Sequence, residues 1–174
     1  MGFMKKMIFV IAALLLTSCA SSENSGAEYS AQDIMFAEMM IPHHEQAIEM
    51  SDIALAKSQD SEVLALATQI KNAQAPEIDQ MKTWGGSHMS SHAGHMMDGM
   101  LTDEEMQLLS KAMGEEFDRL FLEGMIKHHE GAIEMAEMVV DSTNQEVSTL
   151  ANAIIATQKE EIHSRASRRV WCLL

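Results

Sequence analysis

His43 and His44 stand in the stretch FAEMMIPHHEQAIEM, residues 36–50, and His128 and His129 stand in FLEGMIKHHEGAIEM, residues 121–135. Neutral imidazole ligates copper, zinc, nickel and iron, and the methionine thioether is a soft ligand suited to Cu(I). Met39 and Met40 precede His43 and His44 by four residues, and Met125 precedes His129 by four. Met50 and Met135 follow His43 and His128 by seven residues. On a helix these separations place both side chains on one face. Imidazole combined with thioether, in a chain without a usable thiol pair, favours a copper ion, Cu(I) above Cu(II). Other divalent metals suit the imidazoles alone.

Helix geometry says where these groups point. At about 100° per residue, His43 and His44 share an apolar arc with Met40, Ile41, Ala47, Met50, Ala54 and Leu55. Glu38, Glu45, Glu49 and Asp52 fall opposite. The second block repeats this, with His128, His129, Met125, Ile133 and Val140 inward and Glu130, Glu134 and Glu137 outward. A polar group turned inward needs a partner, because burying it bare costs about 1–3 kcal/mol. A metal supplies one kind of partner. A hydrogen-bonding neighbour supplies the other, and both remain open on the residues alone. Adjacent histidines lie about 100° apart around a helix, so neither pair chelates a single ion unaided.

A second candidate lies between the blocks. Residues 85–99 read GGSHMSSHAGHMMDG, without a hydrophobic period. His88, Met89, His92, His95, Met96 and Met97 interleave both ligand types there. Short tracts of this kind read as metal-catching segments. Beyond residue 18 the chain carries 14 of its 17 methionines. Met81, Met106 and Met138 are accounted for as adaptable core fillers. Those of the glycine-rich tract have nothing evident to pack against.

The elements that hold these residues are helices. Ala, Met, Glu and Gln abound while Pro and Val are scarce, which favours helix over strand. Ser30 with Asp33 forms a capping-box pattern, and a helix is predicted from there to Lys57. A second is predicted over 62–84 with Pro76 kinking it, a short third after Thr102, a fourth over 115–140, and a fifth from Gln145. The two blocks lie 85 positions apart, and the repeat runs on: Glu62-Val63 matches Glu146-Val147, and Gln74 with Glu77-Ile78 matches Gln158 with Glu161-Ile162. Each half is thus a helical hairpin. The expected fold is all-α, an antiparallel four-helix bundle of the ferritin-like kind built from two duplicated hairpins.

Domain organisation follows from composition. Residues 1–18 carry Lys5 and Lys6, then an apolar run too short to span a bilayer, and read as a lipoprotein signal peptide. The sequence Leu16-Thr17-Ser18-Cys19-Ala20 resembles a lipobox, making Cys19 the lipidation site. Residues 19–30 read as a flexible tether, and 31–170 as the bundle domain with its His/Met-rich loop at 85–100. The chain is then exported and lipid-anchored in the cell envelope. Ala20 points to an outer membrane, with the domain facing the periplasm. A net charge of −14 argues against nucleic acid and anionic lipid surfaces as partners. The small residues Ala47, Gly124 and Gly131 permit close helix approach, inside one bundle or in a homo-oligomer. No catalytic triad, phosphate-binding loop or dinucleotide fingerprint occurs, so an enzyme is not expected.

The blocks MMIPHHEQAIEM and MIKHHEGAIEM, with Glu115-Glu116-Phe117-Asp118-Arg119 upstream, resemble the exported bacterial family called domain of unknown function 305, which includes CopM-like periplasmic copper-binding proteins. The resemblance covers about residues 30–162 and implies a ferritin-like bundle, export and an association with copper handling. Two departures stand out. Lys127 replaces the motif proline found at Pro42, and a basic tail follows Ile162 where the first copy reads Asp79-Gln80-Met81. Three functions compete. The first is an exported protein that binds and sequesters copper. The second is a structural or partner-binding bundle with ordinary core histidines. The third is a ferritin-like di-iron protein, whose Glu-x-x-His pattern occurs here only at Glu160 and His163.

Overall fold

The computed structural model describes residues 28–85 and 98–169, and of 164–169 the backbone only. The signal segment, Cys19, most of the tether and the loop residues His88, Met89, His92, His95, Met96 and Met97 lie outside the described residues. Among those described there are five helices and no strand: α1 Ala31–Lys57, α2 Ser61–Lys82, α3 Asp103–Lys111, α4 Gly114–Glu137 and α5 Gln145–Arg169.

Local chemistry sets the starts. Ser30 Oγ accepts from the Asp33 amide while the Asp33 carboxylate accepts from the Ser30 amide, which completes the expected capping box. Asp60 caps α2 through the amides of Glu62 and Val63, and Thr102 with Glu105 boxes α3. Asn144 Oδ1 accepts from the Glu146 amide at the start of α5. The helices run unbroken through Pro42 and Pro76. α4 ends at Glu137, earlier than the predicted Val140, and a turn follows.

α1 packs along α2, α4 along α5, and α1 also against α4. The result is a helical bundle whose core falls into two hydrophobic clusters. One gathers Phe36, Met40, Met81, Trp84, Met135 and Ile154. The other gathers Met50, Leu66, Ile70, Phe117, Phe121 and Met125. Glu146 closes one end by accepting from Tyr29, Gln80 and Trp84. The chain between the clusters carries the duplicated polar residues: His43 and His44 on α1, Gln74 and Glu77 on α2, His128 and His129 on α4. Gln158 and Glu161 complete the set on α5.

Candidate metal centre

All four histidines are buried, with at most 2 % of any one exposed. The helical period foresaw this, and it foresaw the exposure of Glu45, Glu49, Asp52, Glu130, Glu134 and Glu137. Leu55 departs from the predicted arc and is exposed near the end of α1.

Acids from the partner helices nevertheless reach the histidines. His44 Nε2 donates to Glu77 Oε2 at 2.8 Å, and His129 Nε2 donates to Glu161 Oε2 at 2.6 Å. Glu161 is buried, and Gln69 also donates to it from α2. A helical wheel of α1 cannot reveal an acid that arrives from α2. The signal was nevertheless in the repeat, since Gln74, Glu77, Gln158 and Glu161 are among the positions that both halves share.

His43 and His128 meet between α1 and α4, with ring centroids 3.7 Å apart and planes tilted by 41°. Each stands 6.5 Å from the other histidine of its own pair. His43 Nε2 donates to the Asp98 carbonyl at 3.3 Å. That carbonyl reaches the ring because Gly131 leaves a notch: a Cβ there would fall 2.0 Å from Asp98 O. Gly131 thus admits the chain between α2 and α3, beyond the helix contact expected of it. Among the described residues, Nδ1 of all four histidines and Nε2 of His128 have no hydrogen-bond partner. The backbone of His43 faces the His128 ring without reaching bonding geometry. Ser51 Oγ and the Oε1 atoms of Gln74 and Gln158 are likewise bare.

Burial, followed by the neighbouring His44 ring, pushes the His43 pKa down to about 3. Burial first, and then the His43, His129 and His44 rings, hold His128 well below the usual histidine range. Both rings are therefore neutral at physiological pH, the form in which imidazole ligates a metal.

The predicted thioethers of the two blocks divide between the two clusters. Met40 and Met135 are buried in one cluster with Met39 half-buried against it, and Met50 and Met125 are buried in the other. Each cluster therefore takes methionines from both sequence blocks. A pocket lined by Met125, Ile126, His129, Glu161 and Ile162 borders the second pair. Among the described residues, no three His, Cys, Asp or Glu side chains form a metal-holding group. Ligation by these residues calls on the thioethers or on a shift of the rings. Glu160 and His163, the one Glu-x-x-His pair, are exposed.

The family model described as Domain of unknown function (DUF305) matches residues 33–166. The chain belongs to the DUF305 family. A DUF305 fragment from Deinococcus radiodurans is 34 % identical, with a TM-score of 0.71 over 84 % of this chain and 99 % of that one. A DUF305 protein of Streptomyces coelicolor, inferred to be secreted, is 32 % identical with a TM-score of 0.70 over 78 % and 89 % of the two chains. CopM in its Cu(I)-bound form is 33 % identical with a TM-score of 0.64 over 80 % and 96 %. CopM is also similar to this DUF305 chain in its Cu(II)-bound and silver-bound forms. No curated protein matches the chain.

Proposed function

We propose that this DUF305 protein is an exported copper-binding protein that sequesters copper in the cell envelope, without catalysis. Four buried imidazoles, each with a bare ring nitrogen, lie between two clusters that contain thioethers; this observation carries the reading. The Cu(I)-, Cu(II)- and silver-bound forms of CopM support the class of ligand. Cu(I) suits the donor set best, because thioether and neutral imidazole are soft to borderline ligands.

The proposal extends to architecture and placement. The four long helices form an antiparallel ferritin-like bundle of two hairpins, supported by the contacts of α1 with α2 and α4 with α5. Residues 1–18 direct export, Cys19 carries lipid, 19–30 tether the domain, and 31–170 bind metal at the periplasmic side of the outer membrane. His88, Met89, His92, His95, Met96 and Met97 supply a second, exchangeable set of copper ligands.

The test is Cu(I) titration of the protein from residue 19 onward against a chromophoric chelator. Uptake of at least one equivalent is expected, and no uptake removes the reading. One observation favours a structural bundle instead: His44 and His129 already have carboxylate partners. Under that reading, replacing His43, His44, His128 and His129 lowers stability and leaves copper uptake unchanged.

A further inference from the structure

We propose that His43, His44 and His129 are held as Nε2–H tautomers, so that Nδ1 is the atom each offers to a soft cation. Glu77, Glu161 and the Asp98 carbonyl are then the positioning groups. This rests on the copper-binding reading and specifies its atoms.

A backbone carbonyl only accepts hydrogen bonds, and so does an ionised carboxylate. The nitrogen facing such an oxygen must carry the proton. That nitrogen is Nε2 at His43, at 3.3 Å from Asp98 O, and at His44 and His129, at 2.8 and 2.6 Å from Glu77 and Glu161. An imidazole ligates a metal in its neutral form, which has one N–H, so with Nε2 facing an acceptor the atom left to ligate in all three rings is Nδ1. In all three Nδ1 is buried and meets no donor among the described residues. The three acceptors come from three different places: α2, α5 and the chain ahead of α3. They impose one tautomer all the same.

This arrangement has a consequence for where the cation sits. Nδ1 is the ring nitrogen nearer the backbone, and Nε2 is at the tip. A cation on Nδ1 lies on the side of the ring away from Glu77 or Glu161, so the carboxylates orient the ring and do not ligate. Carboxylates that hold the distal N–H of a ligating histidine set its orientation and raise its basicity, and removing one lowers metal affinity about 10–100-fold. The ligand class is a soft monovalent cation, Cu(I) or Ag(I), whose remaining donors are thioethers such as Met40 and Met125, one turn before His44 and His129.

The experiment is two-bond 1H–15N correlation spectroscopy on protein labelled with 15N-histidine, before and after Ag(I). Before silver, three imidazoles should show a protonated Nε2 and a bare Nδ1. With silver, the Nδ1 resonances should move while the Nε2–H signals persist. The pair of substitutions E77A and E161A should remove the tautomer preference at His44 and His129 and weaken Ag(I) binding about 10–100-fold. E77Q and E161Q, which keep an acceptor oxygen, should restore most of it, and circular dichroism checks that each variant is helical. A bare Nε2 at His43, His44 or His129 in the metal-free protein overturns the inference, as does silver acting at Nε2 of those rings, and in either case the copper-binding reading still stands. Silver that binds E77A/E161A as tightly as wild type also overturns it. Silver that leaves every ring unmoved overturns both.

Discussion

Two imidazoles ligating one tetrahedral ion put their centroids about 5 Å apart, given metal–nitrogen bonds of about 2.0–2.1 Å. His43 and His128 are 3.7 Å apart, so joint ligation requires the rings to part. Their present contact depends on both being neutral. The His43 pKa is lowered from 6.5 to about 3 by burial first and by His44 next, and His128 is lowered in the same direction. The sign follows: below about 6.5 the unfolded chain binds protons that the folded chain refuses. Stability is therefore whole above that pH and falls as pH drops toward 3. The slope reaches about 1.4 kcal/mol per pH unit for each histidine. Urea unfolding of the metal-free protein at a series of pH values from neutral downward should show this loss, and His128→Leu should make it shallower, leaving the share of His43. A profile that stays level through the window, in wild type, would sink the account of neutral buried rings.

At the scale of elements, the glycine at 131 and the proline at 42 make opposite predictions. A Cβ on Gly131 would meet Asp98 O at 2.0 Å, backbone that has little freedom to retreat with Gly99 also packed on Gly131. Gly131→Ala should cost about 1–3 kcal/mol, read as a lower Tm, although alanine is the better helix former. Pro42 lies inside α1, where proline removes an amide donor and crowds the preceding turn. Pro42→Ala should raise stability by up to about 3 kcal/mol; an unchanged or lower Tm would mean that the surrounding chain has adapted to the ring. Ser30→Ala should cost about 1 kcal/mol through the lost cap. The helices were legible in the sequence because caps, period and turn residues act within a few positions of chain. Ser30 and Thr102 were readable as helix starts for that reason. Burial of His43 and His129 was readable too, since a helix face is a local property. Their partners were not. Whether Glu77 stands level with His44 depends on the turn length between α1 and α2, and whether Asp98 O reaches His43 depends on a notch in α4. Only the repeat of Gln74 and Glu77 at Gln158 and Glu161 hinted that α2 and α5 contribute to the same layer.

On the scale of the whole molecule, the duplicated halves place two His–carboxylate pairs on either side of the His43–His128 contact. Buried imidazoles between packed helices and ligands on a glycine-rich segment differ in what binding costs. The first set is held by packing, so a cation reaching it must pass between helices, whereas glycine- and serine-rich sequence carries a larger ordering cost on binding. Slow, tight uptake is expected from the interior and fast, weaker uptake from the tract over 85–100. The two are separable in one comparison. Replacing His88, His92, His95, Met89, Met96 and Met97 by serine should remove the fast phase of Cu(I) uptake and leave the tight phase intact. Replacing His43, His44, His128 and His129 by glutamine should do the reverse, with helicity followed by circular dichroism. If both variants lose the same phase, the tract and the interior act as one site, and the six-serine variant should then also lower the affinity of what remains. If the glutamine variant folds and takes up copper as wild type does, the buried rings serve packing alone.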